Sequence, residues 1–395
     1  MQAFEFYGVG RIVFGRGAVA RLGELAAGLG RSALVVHNGP IGRVVGMLGA
    51  AGVAATVHRQ RGEPVVDDVD TAVDLARTHA CDCVIGMGGG SAIDVAKAVA
   101  GLLRNEGSVL DYMEVVGKGR KLAHPAAPWM AVPITAGTGA EATRNAVIGL
   151  PAKRFKASIR SEHLLARVAL VDPELGVGVP PAVTASSGMD ALCQLIESFT
   201  STGASPMTDA LSLRGLGLAA RCLPRAYADG GDIGAREGMA LAALLSGITL
   251  TSAGLGAVHG LAAPLGANFP APHGTICAAL LPHIIAANVR ALREQGQPDG
   301  RGLARYADVG RQFPGLESAG DDAAIDGCIQ FVSELVRELD IPPLTRFGVG
   351  PSDVPEMIAL ARKASSTRFN PVVLSDEALS EALKAAIGIT IAGRS

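Results

Sequence analysis

Residues 83–103 read CVIGMGGGSAIDVAKAVAGLL. A short apolar run, Cys83 to Met87, stops at Gly88-Gly89-Gly90-Ser91, and Ala92 to Leu103 continues at helical period. Strand, glycine turn and helix is the unit that lets backbone N–H groups approach a pyrophosphate, with the helix N-terminus adding its partial positive charge. Ser91 suits the cap of that helix, and Asp94 and Lys97, three apart, read as a solvated pair as readily as anything else. No GK[ST] follows and the GxGxxG spacing is not kept, so the loop is neither a Walker A sequence nor a strict dinucleotide fingerprint. Alone, it is also compatible with an ordinary tight turn.

A second loop supports the ligand reading. Thr135-Ala136-Gly137-Thr138-Gly139-Ala140-Glu141 follows the apolar run Trp129 to Ile134. Two strands that end in glycine-rich, hydroxyl-bearing loops converge at the carboxyl edge of a doubly wound sheet, where nucleotides bind. Ser32 to His37 and Val168 to Asp172 are further strand-like runs, with amphipathic helical patterns at 43–51 and Asp68 to Ala80 between the first strands. The spacing predicts βαβ units and a mainly parallel sheet. Beyond Pro180 the strand signal ends. Ala- and Leu-rich segments at helical period follow at 182–200, 206–229, 233–252, 275–294, 323–339, 352–364 and 376–389, with Arg293 to Gly302 reading as a solvated loop. The expected organisation is an α/β nucleotide-binding domain over 1–180 and an all-α domain over 181–395.

Composition agrees with that size. A chain of 395 residues with 49% hydrophobic and 18% charged residues can fill two cores, which excludes a single small module and extensive disorder. Lys plus Arg is 35 against Asp plus Glu 37, a balance that leaves no field to draw nucleic acid or anionic lipid. Six cysteines without a CxxC pair point to reduced thiols and the cytoplasm, and the N-terminus lacks the pattern of an export signal. Residues 238–289 contain no Asp, Glu, Lys or Arg, and Met239 to Val258 is long enough to span a bilayer. Its Gly, Ser and Thr content, the prolines at 264, 270 and 272 and the absence of basic anchors make it a buried core helix leading into a site.

That stretch carries chemistry. Asp190 and Gln194 sit four apart in SGMDALCQLIESF and so share one helix face. His259 and His273 lie inside the charge-free stretch, each beside a glycine, with a proline-rich bend between them. Two imidazoles and a carboxylate suit a divalent first-row metal with open positions for a substrate oxygen. His283, by contrast, reads as a core histidine.

Six ordered motifs, FGRGAVARLGEL, GGGSAIDVAKA, PITAGTGAEATR, LLARVALVDPEL, PPAVTASSGMDAL and HGLAAPLGANFPAPHGTICAALLPH, resemble the iron-containing (group III) alcohol dehydrogenases over nearly the whole chain. The resemblance implies an N-terminal dinucleotide-binding domain and a helical metal-binding domain, the architecture shared with dehydroquinate synthase. It also implies NAD or NADP as cofactor and hydride transfer between nicotinamide and an alcohol held at the metal, Fe2+ with Zn2+ as the alternative. Assembly as a homodimer or larger homo-oligomer is a further implication. By position, Asp190, His259 and His273 match three of the family's four metal ligands and are the candidate catalytic residues. The fourth position, a His in the family, is Gln194, which implies weaker metal retention, and a further His of the family is replaced by Ala263. Gly88, Gly89, Gly90, Ser91, Asp94, Thr135 and Thr138 match the cofactor site, and Lys156 matches a Lys that reaches the cofactor. Where NAD-preferring members often carry Asp, this chain has His37-Asn38-Gly39, so Asn38 stands at the adenosine ribose and NADP is not excluded.

The expected activity is therefore that of an NAD(P)-dependent alcohol dehydrogenase or aldehyde reductase acting on a small alcohol or aldehyde. One rival is a metal-free oxo-acid reductase resembling maleylacetate reductase, although that branch replaces the Asp and keeps the His. Another is a nucleotide-binding protein that has lost catalysis. A lyase of the dehydroquinate synthase type would need a basic, polar site that the charge-free stretch does not offer.

Overall fold

A computed structural model describes residues 3–295 and 301–388. The central part of the Arg293 to Gly302 loop and the residue closing the last helical segment, 389, lie outside the described residues. Tyr7–Val177 form one compact unit, and the chain from Gly178 onward, with the N-terminal residues through Phe6, forms the other.

The first unit is α/β. Its strands are β1 (Ile12–Phe14), β2 (Ser32–His37), β3 (Ala54–Arg59), β4 (Cys83–Gly88), β5 (Trp129–Pro133), β6 (Asn145–Leu150), β7 (Phe155–Arg160) and β8 (Val168–Val171). Six of them form one sheet in the order β1-β8-β5-β4-β2-β3, every pair parallel. Helices α1 (Leu22–Ala27), α2 (Gly42–Ala50), α3 (Val66–Thr78), α4 (Gly90–Leu102) and α5 (Val109–Tyr112) cover it. Successive residues of β2 serve opposite cores. Leu34 and Val36 join Val69, Val84 and Val99, whereas Ala33 and Val35 join Leu22, Leu48 and Ile85. Burial on both faces is why these strands read as unbroken apolar runs.

Four strands escaped the sequence reading, each for a physical reason. β1 is three residues long, and β3 is an edge strand with the mixed sequence AATVHR, largely open to solvent. β6 and β7 form a separate antiparallel pair around the turn Pro151–Lys153, with one parallel bridge from Gly149 to Val65. Their alternating burial replaces the continuous apolar signal of the buried parallel strands.

The second unit is helical: α6 (Pro181–Thr200), α7 (Pro206–Ala228), α8 (Ile233–Ala253), α9 (Ala257–Asn268), α10 (His273–Gln295), α11 (Arg301–Gly310), α12 (Asp321–Glu338), α13 (Val354–Ala361) and α14 (Asp376–Ile387). Two of these, α8 and α10, are long and apolar enough to cross a membrane, and 67% and 78% of their most apolar windows are buried inside the protein. Burial accounts for their composition. The expected single helix from Met239 to Val258 is corrected here. α8 ends at Ala253, Gly254 takes a left-handed φ of 76°, and a separate helix, α9, restarts at Ala257.

Candidate active site

In the α/β unit the chain order reverses between β2 and β4, so the loops after these two neighbouring strands diverge and leave a crevice at their carboxyl ends. Asn38 follows β2, and its amide knits that crevice together. Oδ1 accepts from the Gly89 N–H at 3.0 Å and Nδ2 donates to Ser91 Oγ at 2.9 Å. Gly88 has φ 152°, and a Cβ there would stand 2.0 Å from Asn38 Oδ1. Gly89 is different. Its φ of −75° and ψ of −179° are open to any residue, and a Cβ would sit 3.4 Å from Thr135 Oγ1, an ordinary contact. The second loop thus lies against the first, and Thr138 closes on Gly90, where a Cβ would meet its methyl at 2.8 Å. The leading N–H groups of α4, at Gly90 and Ser91, have no acceptor within the helix, an arrangement that suits an anion.

The remaining cofactor candidates are engaged elsewhere. Asp94 and Lys97 are not a solvated pair. The Lys97 side chain is wholly buried, and its ammonium donates to Asp94 Oδ1 at 3.3 Å, Thr143 Oγ1 at 2.6 Å and the Asn145 carbonyl at 2.6 Å. Burial pulls the Lys97 pKa below its ordinary value, opposed by the Asp94 charge. The other Asp94 oxygen accepts from the Val147 N–H at 3.0 Å, so this pair ties β6 to α4. Lys156, on β7, pairs with Glu63 at 3.0 Å. Asn38 is bonded to the glycine loop at both ends of its amide. Glu141, in the second loop, is 3% exposed, and burial raises its carboxyl to about 7.

In the helical unit three helices converge on one point. Asp190 and Gln194 project from α6, His259 from the start of α9, and His273 is the first residue of α10. The start of α9 is pinned twice: Asn370 Oδ1 accepts from the Ala257 N–H at 3.1 Å, and Glu197 Oε1 from the Val258 N–H at 2.7 Å. Glu197 Oε2 also lies 2.6 Å from His259 Nδ1. Gly274 lets α10 approach α6 so closely that a Cβ would fall 2.0 Å from the Ser186 carbonyl oxygen.

The result is a buried cluster. Asp190 Oδ1 is 3.3 Å from His259 Nε2 and 3.7 Å from His273 Nε2, and it has no hydrogen-bond partner. Cys277, one turn after His273, places Sγ 3.8 Å from His259 Nε2 and 3.7 Å from His273 Nε2. The donor atoms of Asp190, His259, His273 and Cys277 all lie within 4.8 Å of one another. The Gln194 amide oxygen accepts from Ser246 Oγ, on α8, at 2.7 Å.

Electrostatics show what the cluster is built for. Burial pushes both imidazole pKa values down, but Cys277 and Asp190 outweigh it, leaving His273 at about 9 and His259 well above its ordinary value. Burial would raise the Cys277 thiol, yet Cys193 and the two histidines hold it well below the usual range, while burial drives Cys193 well above. A carboxylate and a thiol whose ionised form is favoured thus face two imidazoles that favour positive charge. With Nδ1 turned to Glu197, His259 presents Nε2 to a carboxylate oxygen that has no hydrogen bond, so a proton or a metal cation between the two would join them. The donor set therefore fits a divalent metal.

Sequence reasoning missed Cys277 and Glu197. Helical spacing could have found both, since Glu197 lies seven residues after Asp190 and Cys277 four after His273, each on the ligand-bearing face.

The class that this fold and cluster define is also found by comparison. Residues 10–173 match the iron-containing alcohol dehydrogenases and residues 184–387 the C-terminal domain of the same family. The chain belongs to the iron-containing alcohol dehydrogenase family, and with it to the oxidoreductases that act on CH–OH groups. It is 33% identical to the choline dehydrogenase of Bacillus subtilis, covering 99% of this chain and 97% of that one. It is 32% identical to the NAD-dependent methanol dehydrogenase of Bacillus methanolicus, covering 95% and 97%. Among solved structures, a 1,3-propanediol oxidoreductase superposes with a TM-score of 0.90 at 30% identity, covering 98% of this chain and all of the other.

Proposed function

We propose that the protein interconverts a small alcohol and its aldehyde using a nicotinamide dinucleotide and a divalent metal held by Asp190, His259 and His273. The observation that carries this is the unpartnered Asp190 Oδ1 buried 3.3 Å from a histidine nitrogen whose ring is oriented by Glu197. When bound, the metal would polarise the hydroxyl or carbonyl oxygen, and the nicotinamide would give or take the hydride.

The chain's own residues do the rest. Gly88 to Ser91 and Thr135 to Thr138 form the crevice for the pyrophosphate, Asn38 holding the first loop in shape. Glu197 orients the His259 ring through Nδ1, and the apolar helices around the cluster limit water, which strengthens every charge interaction inside. His273 is 39% exposed on its side chain and marks the solvent-facing side, where a substrate oxygen can arrive. NAD is supported by the description of the methanol dehydrogenase relative as NAD-dependent. Because no carboxylate stands at Asn38 to repel a 2′-phosphate, NADP is a second cofactor to be tested. Iron is the family's metal and zinc the competing one. The six free cysteines support a cytoplasmic enzyme, and the family resemblance supports a homo-oligomer.

Elemental analysis of purified protein, with NADH and NADPH titrations and an aldehyde-reduction screen before and after chelation, tests the reading. A stoichiometric metal and chelator-sensitive reduction are expected. Equal activity of metal-loaded and chelated protein would reject it.

A further inference from the structure

We propose that the Cys277 thiolate, and not the Gln194 amide, is the fourth protein ligand of the metal in this chain. The inference rests on the reading that Asp190, His259 and His273 hold a divalent ion, and it assigns the place that the family resemblance gives to a histidine at 194.

Distances carry the argument. Around a tetrahedral zinc-like ion, oxygen and nitrogen donors would lie about 3.4 Å apart and sulfur and nitrogen donors about 3.6 Å apart, given ordinary bond lengths. The oxygen-to-nitrogen separations are 3.3 and 3.7 Å, and the sulfur-to-nitrogen separations 3.8 and 3.7 Å. Four of the six donor-to-donor separations therefore match the edges of a tetrahedral coordination polyhedron, and the other two are at most 4.8 Å. A cysteine serving only as a small core hydrophobe would face apolar neighbours. Cys277, fully buried, instead faces two imidazole nitrogens beside a carboxylate oxygen that has no hydrogen bond.

Gln194 offers no such case. It is buried on α6, and its amide oxygen is 2.7 Å from Ser246 Oγ, so the residue serves the contact between α6 and α8. Chemistry agrees with geometry. An anionic sulfur replaces a lost imidazole better than a neutral amide oxygen does for Zn2+ or Fe2+. Bound as a thiolate beside the Asp190 carboxylate, Cys277 would bring the ligand charge to that of a divalent cation, and the softer sulfur donor tilts the site towards zinc.

Spectroscopy of the cobalt form tests this without using activity. Protein stripped by chelation and reloaded with Co2+ should show a thiolate-to-cobalt charge-transfer band in the near ultraviolet. The band should survive in Gln194→Ala and in Cys193→Ala and vanish in Cys277→Ser, whose metal retention against a competing chelator should fall about tenfold or more. Adding Gln194→His to Cys277→Ser should restore retention without the band. Cobalt-loaded wild-type protein with no band, or a band that persists in Cys277→Ser, would overturn the assignment while leaving the three-ligand site standing. Protein that takes up no metal would overturn the assignment together with the reading beneath it. The wild-type spectrum decides even if a variant misfolds.

Discussion

Gly88 and Gly89 are adjacent in sequence and opposite in function. At Gly88 a side chain would need a left-handed φ of 152° and would collide with Asn38, so Gly88→Ala should cost about 1–3 kcal/mol and lower the melting temperature by several degrees. At Gly89 the backbone is ordinary and the new methyl would point between the loops. Gly89→Ala should leave melting unchanged and weaken NADH binding by calorimetry, and an equal loss of stability in both variants would refute the distinction. Glu141 makes a second prediction. Its folded pKa of about 7 lies above the unfolded value of 4.5, so the native state binds the proton more tightly. Stability should therefore fall as pH rises from about 4.5 through about 7, with about 3 kcal/mol lost above that window. Glu141→Gln should flatten that slope in denaturant titrations at pH 5 and pH 8. Parallel losses in variant and wild type would show that Glu141 is not the source.

Elements were legible where they are long and buried, and illegible where neighbours decide them. β2, β4, β5 and β8 announce themselves because both faces are covered, and α6 shows its ligand face through the spacing of Asp190. β3 does not, because an edge strand with alternating polar residues resembles a loop. Nor could the α8 to α9 break be read from an apolar run. It is imposed by packing at Gly254, where a Cβ would stand 2.5 Å from the Phe369 ring, and at Gly256, where one would meet Asn370 and Glu197, each at 2.8 Å. The fold class and three of the four clustered donors were thus visible in sequence. Cys277 was passed over because a cysteine in an apolar helix looks like core, although its spacing from His273 puts it on the ligand-bearing face. The break has a consequence for the site, since it sets where α9 begins and hence where His259 points. Gly254→Ala combines a left-handed φ with the Phe369 clash and should cost about 1–3 kcal/mol, with faster metal loss to chelator. Unchanged retention in a destabilised variant would show that α9 is positioned by Glu197 and Asn370 alone.

At the scale of the molecule, the cluster belongs wholly to the helical unit and the glycine crevice wholly to the α/β unit. Chemistry and cofactor binding should therefore be separable by substitution. His273→Ala removes an imidazole from the cluster without touching a residue of the crevice. If the metal polarises the substrate oxygen, the variant should lose several kcal/mol of transition-state stabilisation, a fall of about a hundredfold or more in kcat, while Kd for NADH stays within about twofold. A metal-free oxo-acid reductase would use the same histidine to orient a carboxylate. It would show a raised KM with a smaller change in kcat, and would be indifferent to chelator. Aldehyde reduction with NADH and with NADPH, measured on metal-loaded and stripped forms of both proteins, distinguishes the two. Should His273→Ala weaken NADH binding as much as it slows turnover, the division of labour between the units is wrong, since no residue of the glycine crevice has been altered.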